Sequence, residues 1–312
     1  MLKQDYQTWM DRVEPDKDFQ VRLTEAMAVQ PVRRPRRIWR TVLAAAAVCG
    51  VLMVSAFALS PTLRQMLESA MGGYTEYARP VEGADVSNGM ELRVVSALNS
   101  GSILKVYAEL RNLDGELVCD TLRMSGILIP LEGGKDTGSI TSRAEWVGYE
   151  EESETALLEF TAWGFSTPIG DRLELSAVVL PPLGELEIIY DWKIAFTTEE
   201  LPVRRIPLNG EVSGTPLLQA ELSALGVTIQ TDGGNTVDAF PLTVFCKDGR
   251  RLPLTHGGGG SVGDPQLTAR LTCWEYDEPV EPEEVTGLAL GQWYVPLEGE
   301  NAGRGYWLVE QP

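Results

Sequence analysis

From about Val81 onward, apolar residues recur at every second position in short runs broken by Gly, Pro, Asn and Asp. That period belongs to a pleated strand with one face buried. The runs Glu91–Leu98, Ile103–Leu110 and Thr155–Trp163 are rich in β-formers and predict strands, and Leu173–Leu180 and Leu186–Phe196 extend the series. Asn99–Ser102 and Asn112–Gly115 suit tight antiparallel connections, because Asn, Asp and Gly tolerate positive φ. Residues 80–200 thus predict a β domain of about 120 residues, comparable in size and strand spacing to an immunoglobulin-like sandwich. The stretch Leu201–Pro207 interrupts the pattern. After it, Leu217–Gln230, Val237–Phe245, Leu267–Trp274 and Gly291–Pro296 predict strands of a second, smaller β domain over 201–312. No fixed-period repeat points to a solenoid or propeller.

Upstream of the strands the period becomes helical. Thr41–Leu59 carries no charge over 19 residues. At ~1.5 Å per residue such a helix reaches roughly across a hydrocarbon core, and 38–59 is read as a transmembrane helix. Arg33, Arg34, Arg36, Arg37 and Arg40 precede it with Trp39 at interface depth, whereas Arg64 is the first cation after it. By the positive-inside rule the N-terminus is cytoplasmic and the acidic bulk lies outside, making the lipid bilayer a partner. Ala56–Ala58 imitates a signal-peptidase site, so cleavage is the alternative to a retained anchor; some 40 polar residues ahead of the run favour retention. The tail, residues 1–37, is too short for a core of its own. In it Phe19, Leu23 and Met27 share a helical face, with Trp9 and Val13 on an earlier turn of similar facing and Pro31 and Pro35 closing the end. This stripe is the candidate partner-binding surface, with a helix resting on the membrane as the alternative. Ser60-Pro61 then reads as an N-cap with proline at the first helical position, opening a juxtamembrane helix over 60–73 that Gly72-Gly73 ends.

Charge and chemistry narrow the function. Asp and Glu number 45 against 26 Lys and Arg, a net of −19, which excludes a surface built for nucleic-acid phosphates. Residues 1–40 hold 9 Lys/Arg and 6 Asp/Glu, so the other 272 are at −22. One histidine, His256, and four cysteines without a CxxC pair supply no two-His metal centre and no zinc or redox motif. His256 precedes Gly257–Gly260 and Ser261, but a nucleotide loop would need a GK[ST] ending. A floppy hairpin connection with an exposed His256 is the expectation there. The acidic runs Glu150–Glu154 and Glu275–Glu284 lack calcium-loop spacing and read as solvated loops. No nucleophile–base pair or cofactor site assembles, so no enzyme activity is expected and no cofactor is implied.

Cys246 and Cys273 both fall in expected strands of the second domain, and a bridge between them competes with unpaired buried thiols. Trp146, Trp163, Trp192, Trp274, Trp293 and Trp307 are spread along strands, which favours core packing over a carbohydrate platform.

The order of these parts, with Asn88–Ala97, Leu104–Leu117 and the distal Val285–Leu297, resembles the DUF4179 family of Firmicutes membrane proteins, which are anti-sigma-factor-like. The likeness covers about residues 35–200. It implies a tail that sequesters an extracytoplasmic-function sigma factor and an ectodomain that senses the envelope or an extracellular ligand. Residues 1–40 contain no His or Cys, unlike zinc-containing anti-sigma domains. The chain is therefore expected to be mainly β: a single-pass membrane protein with a cytoplasmic helical tail and a two-part immunoglobulin-like β-sandwich ectodomain. A surface-anchored, non-catalytic binding or adhesion protein is the alternative.

Overall fold

The Ser60 Oγ accepts from the Leu63 amide at 3.1 Å, capping the helix α1 (Pro61–Met71), and Pro61 fixes the first turn. Gly72, at φ 53°, turns the chain out of α1 into a 3-10 segment, Gly72–Glu76. This computed structural model describes residues 60–113, 123–130, 141–164, 172–180, 190–232, 237–262 and 269–308, all of which belong to one compact unit. The tail stripe (Trp9, Val13, Phe19, Leu23, Met27), the flank Arg33–Arg40 and the apolar run lie outside the described residues. Among the described residues no helix is long and apolar enough to cross a membrane.

The rest is mainly antiparallel β. The first half contains β1 (Arg79–Ser87), β2 (Met90–Asn99), β3 (Ile103–Asn112), β4 (Arg123–Pro130), β5 (Thr141–Glu150), β6 (Thr155–Trp163), β7 (Arg172–Leu180) and β8 (Tyr190–Thr197). A five-stranded sheet, β1-β2-β3-β6-β5, faces a three-stranded one, β4-β7-β8. Alternation decides what lies between them: Leu92, Val94, Val106, Ala108, Leu158 and Phe160 meet Leu173, Leu175, Trp192, Ile194 and Phe196 in one core. Trp192 is fully buried and satisfies its indole N–H on the Met90 carbonyl at 2.9 Å. The hairpin between β1 and β2 turns on Asn88 and Gly89, both at positive φ (47° and 79°). The sheets join along β1 and β8, where Asp85 accepts from the Lys193 amide at 2.9 Å and Ser87 from the Asp191 amide at 3.0 Å. These bonds occupy edge groups that would otherwise stand open.

The second half contains β9 (Arg204–Val212), β10 (Thr215–Leu222), β11 (Gly226–Asp232), β12 (Leu242–Cys246), β13 (Arg251–Val262), β14 (Ala269–Glu275), β15 (Val285–Leu290), β16 (Trp293–Pro296) and β17 (Tyr306–Trp307). They form one sheet, β17-β16-β15-β12-β13-β14-β11-β10-β9, rather than two separate ones. The long β13 joins its leaves, pairing Arg251–Leu254 with β12 and Thr255–Val262 with β14. The sheet rolls until its ends meet, where the Asn209 amide donates to Gly303 O at 2.8 Å. Gly210 and Gly305 leave room for the Trp293 ring at this seam; a Cβ at Gly305 would lie 1.8 Å from it. Val227, Ile229, Val244, Trp274, Leu288 and Val295 fill the interior.

Several elements differ from the sequence expectation for identifiable reasons. Leu217–Gln230 is two strands, because Ser223 bonds Gly226 O and turns the chain back. Gly257–Gly260 is not a floppy connection: it lies in the second half of β13, where the register shifts at Gly257 and Gly258–Gly260 pair with Cys273, Thr272 and Leu271 of β14. Glycine is disfavoured in strands by propensity, which hides such a strand from the pattern.

Candidate functional site

Strand β6 has apolar residues at both parities and is buried on both faces. In a sandwich strand this means that the outward face is covered. The covering has two parts. On one side α1 lays Leu63, Met66 and Leu67 over Leu157, Val95 and Val147. On the other, Leu98, Ile103, Tyr107 and Trp163 gather with Met71 and Tyr74 of the α1 segment and with Leu225 and Cys273 of the second half. This apolar cluster ties the α1 segment to both β halves.

Polar groups are built into this junction. Lys105 Nζ lies 2.6 Å from Glu275 and 3.6 Å from Glu159, with all three side chains about 15% exposed. Glu275 also accepts from the Trp163 indole N–H at 2.7 Å, and Glu159 from Thr161 at 2.9 Å. Arg143 sits over the Trp163 ring at 5.5 Å. Nearby, Ser102 donates to Glu221 at 2.7 Å, and Arg205 joins Glu221 to Glu200 at 2.9 and 3.3 Å. The glycine run serves the same contact. A Cβ at Gly257 or Gly258 would fall 2.5 or 2.8 Å from the Trp163 indole, and Thr141 donates to Gly259 O at 2.8 Å. Bare backbone is what lets the two halves approach this closely.

From Ser60 to Tyr77 the chain forms a strap across the junction. Ser60 donates to both Glu150 oxygens, at 2.7 and 2.6 Å. Tyr74 donates to Tyr276 O at 2.6 Å, Tyr77 to the Glu281 carboxylate, and Gly73 lies against Pro279. The serine and tyrosines are thus tied to residues far along the sequence, on both halves.

Ionisation follows the burial. Burial pulls the Lys105 ammonium down, but Glu275 and Glu159 more than offset it and its pKa stands above the ordinary lysine value. Burial, reinforced by nearby carboxylates, raises Tyr74 and Tyr107, and burial raises Tyr276. Every one of these groups binds its proton more tightly when folded. Their contribution is complete below the unfolded pKa values, about 10 for Tyr and 10.4 for Lys, and is lost as pH rises through the folded ones. The junction is expected to hold through neutral pH and to loosen only above about pH 10. A pH series of thermal unfolding checks this; loss of Tm between pH 7 and 9 would contradict it.

The bridge considered between Cys246 and Cys273 does not form: both thiols are free and buried. Strand β13 lies between their strands, a separation of about 10 Å by inter-strand spacing, whereas a disulfide requires Cα atoms within ~7 Å. They also face different cores, Cys246 the interior of the second half and Cys273 the junction. Burial pushes the Cys273 thiol up to about 12, so it is neutral and unreactive. Among the described residues no group of His, Cys, Asp and Glu could hold a metal ion. Lys105, Glu159 and Tyr74 were not singled out by the sequence pattern, and two residues of the acidic runs read as solvated loops are instead enclosed: Glu275 ends β14 in the Lys105 cluster, and Glu150 ends β5, 6% exposed, against Ser60. The signal available was the two-sided apolar character of Thr155–Trp163.

No family model matches the sequence, and no curated protein does. Among solved structures the chain is similar to one described as the crystal structure of the conserved domain protein from Bacillus anthracis. That match has a TM-score of 0.48 and 15% identity, and covers 72% of this chain and 79% of the other. Likeness at this level assigns no role.

Proposed function

We propose that this protein is a single-pass envelope regulator, anti-sigma-factor-like, anchored in the cell membrane with its N-terminus in the cytoplasm. Its tail stripe binds an extracytoplasmic-function sigma factor, and its β ectodomain governs that contact. The observation that supports this reading best is the strap: the residue following the uncharged run 41–59 is Ser60, already tied to Glu150. Within 17 residues the same strap reaches the second β half through Tyr74 and Tyr77. An anchor that merely tethered a binding module would need no such docking. A regulator needs it, because a rearrangement outside must be felt at the span.

Membrane-inserted full-length protein is expected to capture a sigma factor, identified by mass spectrometry, while a chain lacking residues 1–30 captures none. Phe19→Asp with Leu23→Asp should abolish capture and leave insertion intact, since charge on a helix face meant for an apolar groove removes its anchors. If the full-length and truncated chains both insert and neither captures a sigma factor, the regulator reading falls. The surface-anchored binding protein then takes its place. The exposed Tyr306 and Trp307, 53% and 52% accessible on edge strand β17, would be the first surface to test for that role.

A further inference from the structure

The place where α1 meets β5 is built around a missing side chain. Strand β5 shifts register between Trp146 and Gly148, so that Val147 is left over as a bulge and Gly148 pairs with Leu157 of β6. A Cβ at Gly148 would lie 2.9 Å from the Met66 Sδ. The thioether thus takes the room the glycine leaves, in the apolar cluster of Leu63, Leu157 and Val147. An unbranched, polarisable side chain suits so irregular a gap. Met66 is also within reach of solvent. It is half-buried, and with Thr62, Gln65, Ser69, Ala70 and Val147 it lines an open groove of about 380 Å³. Met71 and Met90, by contrast, are 3% exposed. Susceptibility to oxidation follows exposure, and a sulfoxide is polar where the thioether was apolar.

We propose that Met66 is an oxidation site and that its sulfoxide releases α1 from β5 and β6. The oxidant is a hydroperoxide. A sulfur lone pair attacks the terminal oxygen, an S–O bond forms as the O–O bond breaks, and the departing oxygen takes up the proton. Sulfur loses two electrons, and the peroxide ends as water or an alcohol. The product places a strong acceptor among Leu63, Leu157 and Val147, and burying it without a donor is unfavourable. The other tie at this end is the Ser60 bond to Glu150, two residues beyond Gly148. Met71 and Tyr74 pack in a separate cluster, so the loosening is confined to the end of the strap next to the apolar run. The site stands on the described residues alone; its use as a signal rests on the regulator reading.

The test uses the full-length protein in phosphatidylcholine nanodiscs, exposed to graded hydrogen peroxide and read by peptide mass spectrometry. Met66 is expected to become sulfoxide at least about five times faster than Met71 and Met90. Hydrogen exchange over residues 61–69 should then quicken about tenfold, while residues 71–77 keep their protection. Met66→Leu conserves volume, so the variant should fold as the wild type does and show no quickening under peroxide. Treatment of the oxidised wild type with methionine sulfoxide reductase should restore slow exchange, a check that needs no variant. Oxidation of Met66 no faster than Met71 and Met90, or unchanged exchange once Met66 is converted, overturns the proposal. Quickened exchange in a chain that captures no sigma factor upholds the oxidation site and leaves the regulator reading to fall by its own test.

Discussion

Gly164→Ala is expected to destabilise the protein by about 2–4 kcal/mol and to split its unfolding into two transitions. Gly164 sits at φ +82°, and a Cβ there would lie 2.2 Å from the Gly260 amide and 2.4 Å from the Gly259 carbonyl carbon. A side chain at positive φ costs about 1–2 kcal/mol, and overpacking adds about 1–3. Neither neighbour can yield cheaply: Gly164 is bonded to Ser102 O at 3.0 Å, and Gly259 and Gly260 are paired to Thr272 and Leu271. Relief therefore comes from parting the halves. Calorimetry would resolve the two transitions, and faster proteolysis over residues 198–203 would report the opened connection. A variant that melts once, at the wild-type temperature, would mean that the junction is plastic.

Lys105→Ala is expected to cost about 3 kcal/mol, measured by denaturant unfolding. Glu159 and Glu275, each about 15% exposed, would face one another without the ammonium that lies 3.6 and 2.6 Å from them. Removing one partner of a half-enclosed group leaves the desolvated charge behind, which is where most of the loss arises. Lys105→Ala with Glu275→Gln should recover part of it, because the amide still accepts the Trp163 indole N–H. Equal stability of the single and double variants would show that the charge cluster is slack. In that case the apolar contacts of Tyr107, Trp163 and Cys273, with the Ser102–Glu221 and Thr141–Gly259 hydrogen bonds, hold the halves together.

How much of this was legible depends on locality. Strands Ile103–Leu110 and Thr155–Trp163 announced themselves because alternation and β-branching are properties of neighbouring residues. The cap at Ser60 and the stop at Gly72 are equally local, and α1 falls within the expected helix. Strand β13 was hidden because its glycines answer to Trp163 and Gly164, almost a hundred residues earlier, and not to strand propensity. The junction was illegible for the same reason. Lys105, Glu159 and Glu275 look like ordinary solvent-facing charges in three separate strands, and only the packing of one half on the other brings them together. Even so, Leu157 and Trp163 on the outward parity of β6 marked a face that something had to cover.

The reach of the strap sets an order of events in the making of the chain. Tyr74 meets its acceptor 202 residues later, at Tyr276, and Tyr77 bonds Glu281. With synthesis running at ~5–20 residues per second, the segment beside the apolar run waits on the order of 10–40 s before its partners exist. Until Leu225 and Cys273 have been made, Met71 and Tyr74 have no second half to pack against. A chain cut short before residue 276 lacks the acceptor of Tyr74, so the fully docked strap is in effect a mark that the molecule has been made at least as far as Glu281.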